Sequence, residues 1–310
     1  MKLEGIHHIT AITGDAPRNV EFYTNVLGLR MVKKTVNQDD PTIYHLFYAD
    51  EQGSAGSDIT FFEYPGAKRG RAGAGMVHRI SWRLASTEAL AFWEERLRGL
   101  GVSVERSGDA VRFDDPEGLG LELRAVETSD EPLAARHPEI PQEFALQGFD
   151  GARAYTADPD RSRGLLEATM GFRPTGPASF ESRGDRRGSL WDYDVTTSPG
   201  VQGAGTVHHI AWASTLDDHV AWRERVVGAG LDVTPVIDRF YCRSVYFREP
   251  SGVLFEIATL GPGFTADEPL EHLGQSLSLP PDYKHLRAEL GQRLTPLPDT
   301  AAWRRAGAPR

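Results

Sequence analysis

Apolar and polar residues repeat along this chain in the order of one strand, one helix and three strands. Residues 77–82 read V-H-x-I-x-W, and residues 207–212 have the same frame. Each alternating run is followed by a helix-like stretch, a glycine-rich stop, short β-rich runs and a Pro-x-Gly turn before a final strand. The pattern therefore predicts two copies of a βαβββ module, at 76–126 and 206–260.

Two further stretches, 6–64 and 149–195, fit the same outline. The helix predicted in the first of them has Pro17 in its first turn and ends at Gly28. Thr13-Gly14-Asp15 aligns with Thr156-Ala157-Asp158, and the same offset makes Gly151 the counterpart of His8. An internal repeat of this kind determines the fold class. The chain is thus predicted to be an α+β protein of four βαβββ modules, numbered one to four in chain order.

The modules predict a division of the chain into four parts. An N-terminal pair of modules occupies 1–130, a linker 131–148, a C-terminal pair 149–265, and a glycine- and proline-rich tail 266–310. The tail is expected to contain a helix near 282–293 and to end in a frayed, basic segment.

Composition and charge restrict the function. The 310 residues are 40% hydrophobic and 25% charged, and no apolar run is long enough to span a bilayer. With 34 Lys and Arg against 44 Asp and Glu, the formal charge is −10, and the basic residues are dispersed, which argues against nucleic acid as a partner. The single cysteine, Cys242, and an N-terminus without secretory features predict a cytoplasmic protein.

Equivalent positions of the repeat differ in their ability to bind a metal. Modules one and four have imidazoles, His8 and His209, where module two has Arg79 and module three has Gly151. Arginine has no free lone pair for a metal. Glu256 stands on the final strand of module four. Two imidazoles and one carboxylate suit non-heme Fe(II), and Mn(II) or Co(II) also fit. A shared site requires module one to pair with module four, and module two with module three.

The residues beside the proposed ligands leave an open question. Side chains alternate along a strand, so Thr10 is expected on the same face as His8, while His7 and His208 are expected on the opposite face. A β-bulge would turn these two imidazoles toward the ligands. Each histidine, taken alone, is equally typical of a hydrogen-bonded strand residue with no metal.

The repeat resembles the vicinal oxygen chelate superfamily, in which paired βαβββ modules form half-barrel cups around one metal ion. Within it, three runs are similar to the ring-cleaving dioxygenase branch that includes hydroquinone dioxygenases. These runs are KKTVNQDDP at 33–41, TPVIDR at 234–239 and YFREPSGVLFEIAT at 246–259. The resemblance covers about residues 5–265 and implies two cups, one of them with an iron site.

The resemblance also implies roles for residues around the metal. Tyr246 precedes Glu256 by ten residues, as the active-site tyrosine of extradiol enzymes does, and Arg239 matches a charged position near the metal. Thr10, His208 and His7 are implied to contact substrate or to orient ligands. Ordinary alternatives exist for each, such as a packed strand tyrosine or a surface ion pair.

These features predict an Fe(II)-dependent ring-cleaving dioxygenase that acts on a small aromatic diol with O₂, with 1,4-diols (hydroquinones) preferred. Three alternatives remain: a catechol extradiol dioxygenase, another metal enzyme of the superfamily such as a glyoxalase, epimerase or thiol transferase, and a metal-free resistance protein that binds aromatic compounds. The cup without ligands is expected to be a scaffold or the surface of a homo-oligomer.

Overall fold

The computed structural model describes residues 1–300, which form two eight-stranded sheets with one helix after the first strand of each module. The strands are β1 (Ile6–Thr13), β2 (Arg30–Val36), β3 (Tyr44–Ala49), β4 (Asp58–Glu63), β5 (Met76–Leu84), β6 (Glu105–Ser107), β7 (Ala110–Asp114), β8 (Gly120–Ala125), β9 (Phe149–Thr156), β10 (Arg173–Gly176), β11 (Ser179–Arg183), β12 (Gly188–Val195), β13 (Val207–Ser214), β14 (Ile237–Asp238), β15 (Arg243–Arg248) and β16 (Leu254–Thr259). The α-helices are α1 (Ala16–Glu21), α2 (Thr87–Gly99), α3 (Asp160–Gly164), α4 (His219–Gly228) and α5 (Arg287–Arg293). π-Helical turns at Phe22–Val26 and Leu165–Thr169 extend α1 and α3, and 3₁₀ turns lie at Gln142–Phe144, Phe264–Ala266, Leu270–His272 and Pro281–Leu286.

The strand order joins modules that are far apart in the chain. The first sheet runs β14-β15-β16-β13-β1-β4-β3-β2, and the second runs β10-β11-β12-β9-β5-β8-β7-β6. Modules one and four therefore form the first sheet, and modules two and three form the second. The predicted α+β fold of four βαβββ modules in two cups is confirmed, as is the pairing of module one with module four.

The four predicted parts divide the chain by sequence position and do not coincide with the two sheets. Each sheet contains one module from 1–130 and one from 149–265. Those domain limits, and the linker at 131–148, stay predictions. The helix expected near 282–293 is present as the 3₁₀ turn Pro281–Leu286 followed by α5. The last ten residues of the tail, 301–310, lie outside the described residues. Within residues 1–300, no helix has the length and apolarity that a membrane span requires.

Each of the two central strands of the first sheet, β1 and β13, contains one β-bulge. In β1 the register shifts between Ile6 and His8, so His7 is the extra residue. In β13 the shift falls opposite Thr10 and Ala11, so His208 is the extra residue. Because a bulge reverses the alternation of side chains locally, it allows adjacent residues to face the same side of a sheet.

The apolar side chains of the central strands face away from the cup and form the core. Trp212 and Phe255 of the first sheet are fully buried and pack against Trp191 of the second, with ring centroids 5.9 Å and 5.2 Å from that of Trp191, respectively. Burying side chains of this size contributes roughly 1.5–3 kcal/mol each. The aromatic core thus fixes the strands whose opposite faces carry the polar residues of the cup.

The C-terminal tail packs on β2, the edge strand of the first sheet. Lys33 of β2 is completely buried, and its ammonium group contacts the carboxylates of Asp267, at 2.8 Å, and Glu268. A buried lysine requires such partners. Tyr283 donates a hydrogen bond to the carbonyl of Gln38 at 2.7 Å. The backbone N–H of Ser278 also donates to the carbonyl of Lys34 at 2.8 Å, so the tail covers the edge strand.

Candidate metal centre

Three predicted ligand residues meet on neighbouring strands of the first sheet. His8 lies on β1, His209 on β13 and Glu256 on β16, and all three are buried. Oε2 of Glu256 is 3.3 Å from Nε2 of His8 and 3.0 Å from Nε2 of His209, and the two Nε2 atoms are 3.3 Å apart. The structure therefore brings together the ligand set that the repeat predicted.

The local chemistry of the triad fits a divalent cation. Oε2 of Glu256 is buried and makes no hydrogen bond, although both imidazole nitrogens are close to it. Burial alone would raise the pKa of Glu256, but His8 and His209 outweigh it and hold that pKa well below its usual range. An ionised carboxylate and two imidazole lone pairs directed at one point match the preference of Fe(II) and Mn(II).

Hydrogen bonds behind His8 determine which of its nitrogens carries the proton. Nε2 of His7 lies 3.1 Å from the carbonyl oxygen of Thr259, which can only accept, so His7 donates from Nε2. Burial, followed by repulsion from His8, lowers the pKa of His7 to about 3, so its Nδ1 is unprotonated. Nδ1 of His8, 2.9 Å away, must then donate to it. In its neutral form, His8 therefore keeps the Nε2 lone pair that faces the triad.

His209 has the same arrangement on the other central strand. Its Nδ1 lies 2.8 Å from Nδ1 of His208, whose pKa is lowered to about 4 by burial and by His209. If Nε2 of His209 binds a metal, its Nδ1 donates to His208, which then carries its own proton on Nε2. His208 lines the cavity, so this arrangement gives the cavity an N–H donor.

Two hydroxyl groups connect His209 on β13 to His45 on β3, which lines the same cavity. Thr10 Oγ1 lies 3.0 Å from Nε2 of His209 and accepts a hydrogen bond from Thr60 at 2.8 Å. His45 on β3 lies 2.9 Å from the Thr60 hydroxyl. Thr10 is completely buried and is not among the cavity-lining residues, so it contacts a proposed ligand rather than the cavity.

Tyr246 and Arg239 lie on the β15 side of the triad. Tyr246 is the cross-strand partner of Glu256, and its ring meets that of His209 edge-on at 5.7 Å. Burial, with the Glu256 carboxylate, raises the pKa of Tyr246 well above its usual value, so the phenol keeps its proton. The Arg239 guanidinium lies 5.6 Å from the centre of the Tyr246 ring and makes two hydrogen bonds of 2.9 Å to Asp39.

The triad lies on the wall of a cavity of about 1000 Å³. A cavity of this size is at the upper end of the range for small-molecule sites. Seven of the eight residues that the sequence singled out line it, namely His7, His8, His208, His209, Arg239, Tyr246 and Glu256. The bulges explain why His7 and His208 face it together with their neighbours, which settles the question that alternation left open.

The sequence analysis missed other polar residues of the cavity, among them His45 on β3 and Asp58 on β4. In β4 the residues Asp58, Thr60 and Phe62 alternate with apolar Ile59 and Phe61. This period of two could have identified the face of β4 that borders the cup.

Comparison with known proteins places this arrangement in a family. The chain matches the family model of the Glyoxalase/Bleomycin resistance protein/Dioxygenase superfamily over residues 5–123 and 148–257. MhqO of Bacillus subtilis (strain 168), provisionally named a ring-cleaving dioxygenase, is 43% identical over 305 residues, which cover 95% of this chain and 97% of MhqO. The chlorohydroquinone/hydroquinone 1,2-dioxygenase of Sphingobium indicum is 32% identical over 307 residues, covering 93% and 95% of the two chains.

Solved structures agree with the sequence matches. The crystal structure of a provisionally named dioxygenase from Bacillus subtilis superposes with a TM-score of 0.90 and 42% identity, covering 96% of this chain and 98% of that one. Glyoxalase I from Zea mays has a TM-score of 0.57 at 13% identity, covering 84% of this chain and 93% of that one, and shares the fold. The chain therefore belongs to the glyoxalase/bleomycin resistance protein/dioxygenase superfamily, within the branch that contains these provisionally named ring-cleaving relatives.

Proposed function

We propose that this protein is an Fe(II)-dependent dioxygenase that opens a hydroquinone-type ring with O₂. The observation that carries the proposal is the convergence of His8, His209 and Glu256 on the wall of a large cavity. Three protein ligands leave coordination positions for substrate and O₂, which is typical of non-heme iron oxygenases. The relatives named for ring cleavage support the reaction class.

His8, His209 and Glu256 would hold the iron, with Mn(II) as a second suitable ion. When bound there, Fe(II) supplies a Lewis acid for a phenolic oxygen and a path for electrons between the ring and O₂. Both oxygen atoms enter the product and the ring supplies the electrons, so the reaction needs no nicotinamide or flavin. The protein must orient the ring, exclude water and move protons.

Tyr246 is suited to donate a proton late in the reaction. Its phenol is buried beside Glu256 and keeps its proton because its pKa is raised well above the usual value by burial. A positioned acid of this kind assists the cleavage of a bond to oxygen. Tyr246 also lines the cavity, so its hydroxyl is available to a bound ring.

Arg239 and His208 are suited to stabilise the anion formed when the first phenol ionises. Arg239 brings a positive charge to the cavity beside Tyr246, partly balanced by Asp39. His208 offers an N–H donor when His209 binds the metal. Donors that are fixed before reaction stabilise developing charge without reorganising.

The decisive experiment is anaerobic loading with Fe(II), followed by O₂ uptake with matched hydroquinones and catechols. We expect O₂ consumption, a ring-opened product that contains two oxygen atoms from ¹⁸O₂, and a higher kcat/KM for the 1,4-diols. Protein treated with a chelator is the control and should be inactive. No O₂ consumption with any diol in the panel would overturn the dioxygenase proposal, and a preference for catechols would overturn the hydroquinone assignment.

A further inference from the structure

Asp58 is a buried acid whose position has no structural explanation. It is the first residue of β4, pairs with His8 in the parallel register, and is only 2% exposed. Its Oδ1 is buried without a hydrogen-bond partner in residues 1–300. Its side chain lines the cavity. A buried polar group without a partner is costly, and a hydrogen bond from a molecule in the cavity to the carboxyl group would offset that cost.

The other buried carboxyl groups of the described chain show how unusual this is. Eight of these nine have a hydrogen-bond or ion-pair partner on another residue: Asp50 with Ser54, Glu63 with Thr295, Asp115 with the backbone N–H of Leu119, Glu122 with Arg112, Asp130 with Arg83, Asp150 with Arg124, Glu249 with Tyr193, and Glu268 with Lys33. The ninth is Glu256, whose unbonded Oε2 faces the two imidazoles of the triad. By contrast, Oδ1 of Asp58 has no donor within the described residues.

The second sheet shows that the fold does not need an acid at this position. His8 pairs with Asp58 between β1 and β4, and its counterpart Gly151 pairs with Leu190 between β9 and β12. Leu190 is therefore the equivalent of Asp58, and it is apolar. The carboxyl group occurs only in the sheet that carries the triad, which points to a role in that site.

The strand order determines which part of a bound ring Asp58 meets. Tyr246 lies on β15, beyond Glu256 and His209, whereas Asp58 lies on β4, beyond His8 on the opposite side. A ring bound at the triad therefore has Tyr246 on one flank and Asp58 on the other. A carboxyl group can both donate to and accept from a phenolic hydroxyl, so the two groups are complementary.

We propose that Asp58 is a specificity-determining residue that hydrogen-bonds the ring hydroxyl not bound to the metal, and so selects 1,4-diols. This inference rests on the proposed function, because it assumes a diol with one oxygen at the triad. It assigns the second oxygen to the part of the cavity lined by β4.

The test is anaerobic equilibrium binding of hydroquinone and of phenol, which lacks the second hydroxyl, to the Fe(II)-loaded protein. Asp58→Ala should weaken hydroquinone binding about tenfold, the effect of one buried hydrogen bond, and change phenol binding less than about twofold. Asp58→Asn, which keeps both a donor and an acceptor, should retain hydroquinone binding within about threefold of the unmodified protein.

A second measurement separates recognition from a structural role. The thermal midpoint of metal-free Asp58→Ala should be unchanged or higher, because the substitution removes a buried group without a partner. A lower midpoint, unchanged hydroquinone binding, or an equal loss for hydroquinone and phenol would each overturn the assignment. If the unmodified protein consumes no O₂ but the difference between the two ligands depends on Asp58, ring cleavage fails and the binding role stands.

Discussion

The two sheets of this protein have the same architecture but satisfy their buried glutamates in different ways. Glu256 of the first sheet and Glu122 of the second are equivalent, since they pair with Ala211 and Ser81 in matching registers. Glu256 faces two imidazoles and has an oxygen without a hydrogen bond. Glu122 accepts a hydrogen bond of 2.7 Å from Nε of Arg112.

The bulges of the first sheet also occur in the second. The register shifts of the β5–β9 pair make His78 and Asp150 the extra residues, at the positions equivalent to His208 and His7. There His78 is hydrogen-bonded to Asp194 at 2.8 Å, and Asp150 forms an ion pair with Arg124 at 3.2 Å. The bulge thus belongs to the module, and the residue types at it differ between the sheets. In the second sheet they pair with Asp194 and Arg124, whereas in the first they contact the two imidazoles of the triad.

The largest expected effect comes from replacing the two equivalent glutamates, Glu256 and Glu122, by glutamine. Glu256→Gln should remove the metal and reduce turnover by more than about 10³-fold, because an amide cannot supply the anionic ligand. Glu122→Gln should leave both unchanged, since its partner is an arginine. Elemental analysis and O₂ uptake measure the two effects. Equal metal content in the two variants would show that the sheets do not differ as described.

A smaller effect is expected from the residues that pair with these glutamates. Tyr246→Phe should retain the metal and slow turnover by about 10²-fold, the scale of lost acid assistance. Arg112 is the equivalent residue of the second sheet, because it pairs with Glu122. Arg112→Gln should leave turnover unchanged. Steady-state kinetics with metal content measured in parallel decide the matter, and normal turnover in Tyr246→Phe would reduce this residue to a packing role.

The smallest expected effect concerns the ion pairs of the second sheet. Burial alone would raise the pKa of Asp194, but hydrogen bonds from Arg153 and His78 outweigh it and lower the pKa. Near pH 4, Asp194 therefore binds more protons in the unfolded chain than in the native state. The stabilisation from its hydrogen bonds is complete above that pH and is lost as the pH falls through the native pKa of Asp194. Because Asp194 is partly exposed, Asp194→Asn should destabilise by about 1 kcal/mol or less at pH 7.

Urea unfolding at several pH values tests this last effect. The difference between the unmodified protein and Asp194→Asn should shrink between about pH 5 and pH 3. Asp217→Asn, at an exposed position of the segment before α4, is the matched control and should change stability little at any pH. A difference in the free energy of unfolding that grows as the pH falls would contradict the lowered pKa of Asp194.

The sequence alone determined the modules and the triad. The repeat frame compares residues at equivalent positions, and only His8 and His209 supply imidazoles there. Module pairing also followed, because a shared site with Glu256 requires modules one and four to be adjacent. These conclusions depend on residue type and spacing, which are local properties of the chain.

The tertiary structure decided which other side chains reach the cavity. Side chains alternate with a period of two, so one extra residue in a strand moves its neighbours to the other face, and no local signal marks His7 or His208 as that residue. Asp58 and Arg239 likewise gain their surroundings from segments far away in the chain, which are His8 on β1 for Asp58 and Asp39 in the β2–β3 loop for Arg239. Register between distant strands is set by the packing of the whole sheet, which is why the sequence predicted the cluster of His8, His209 and Glu256 but not the full lining of the cavity.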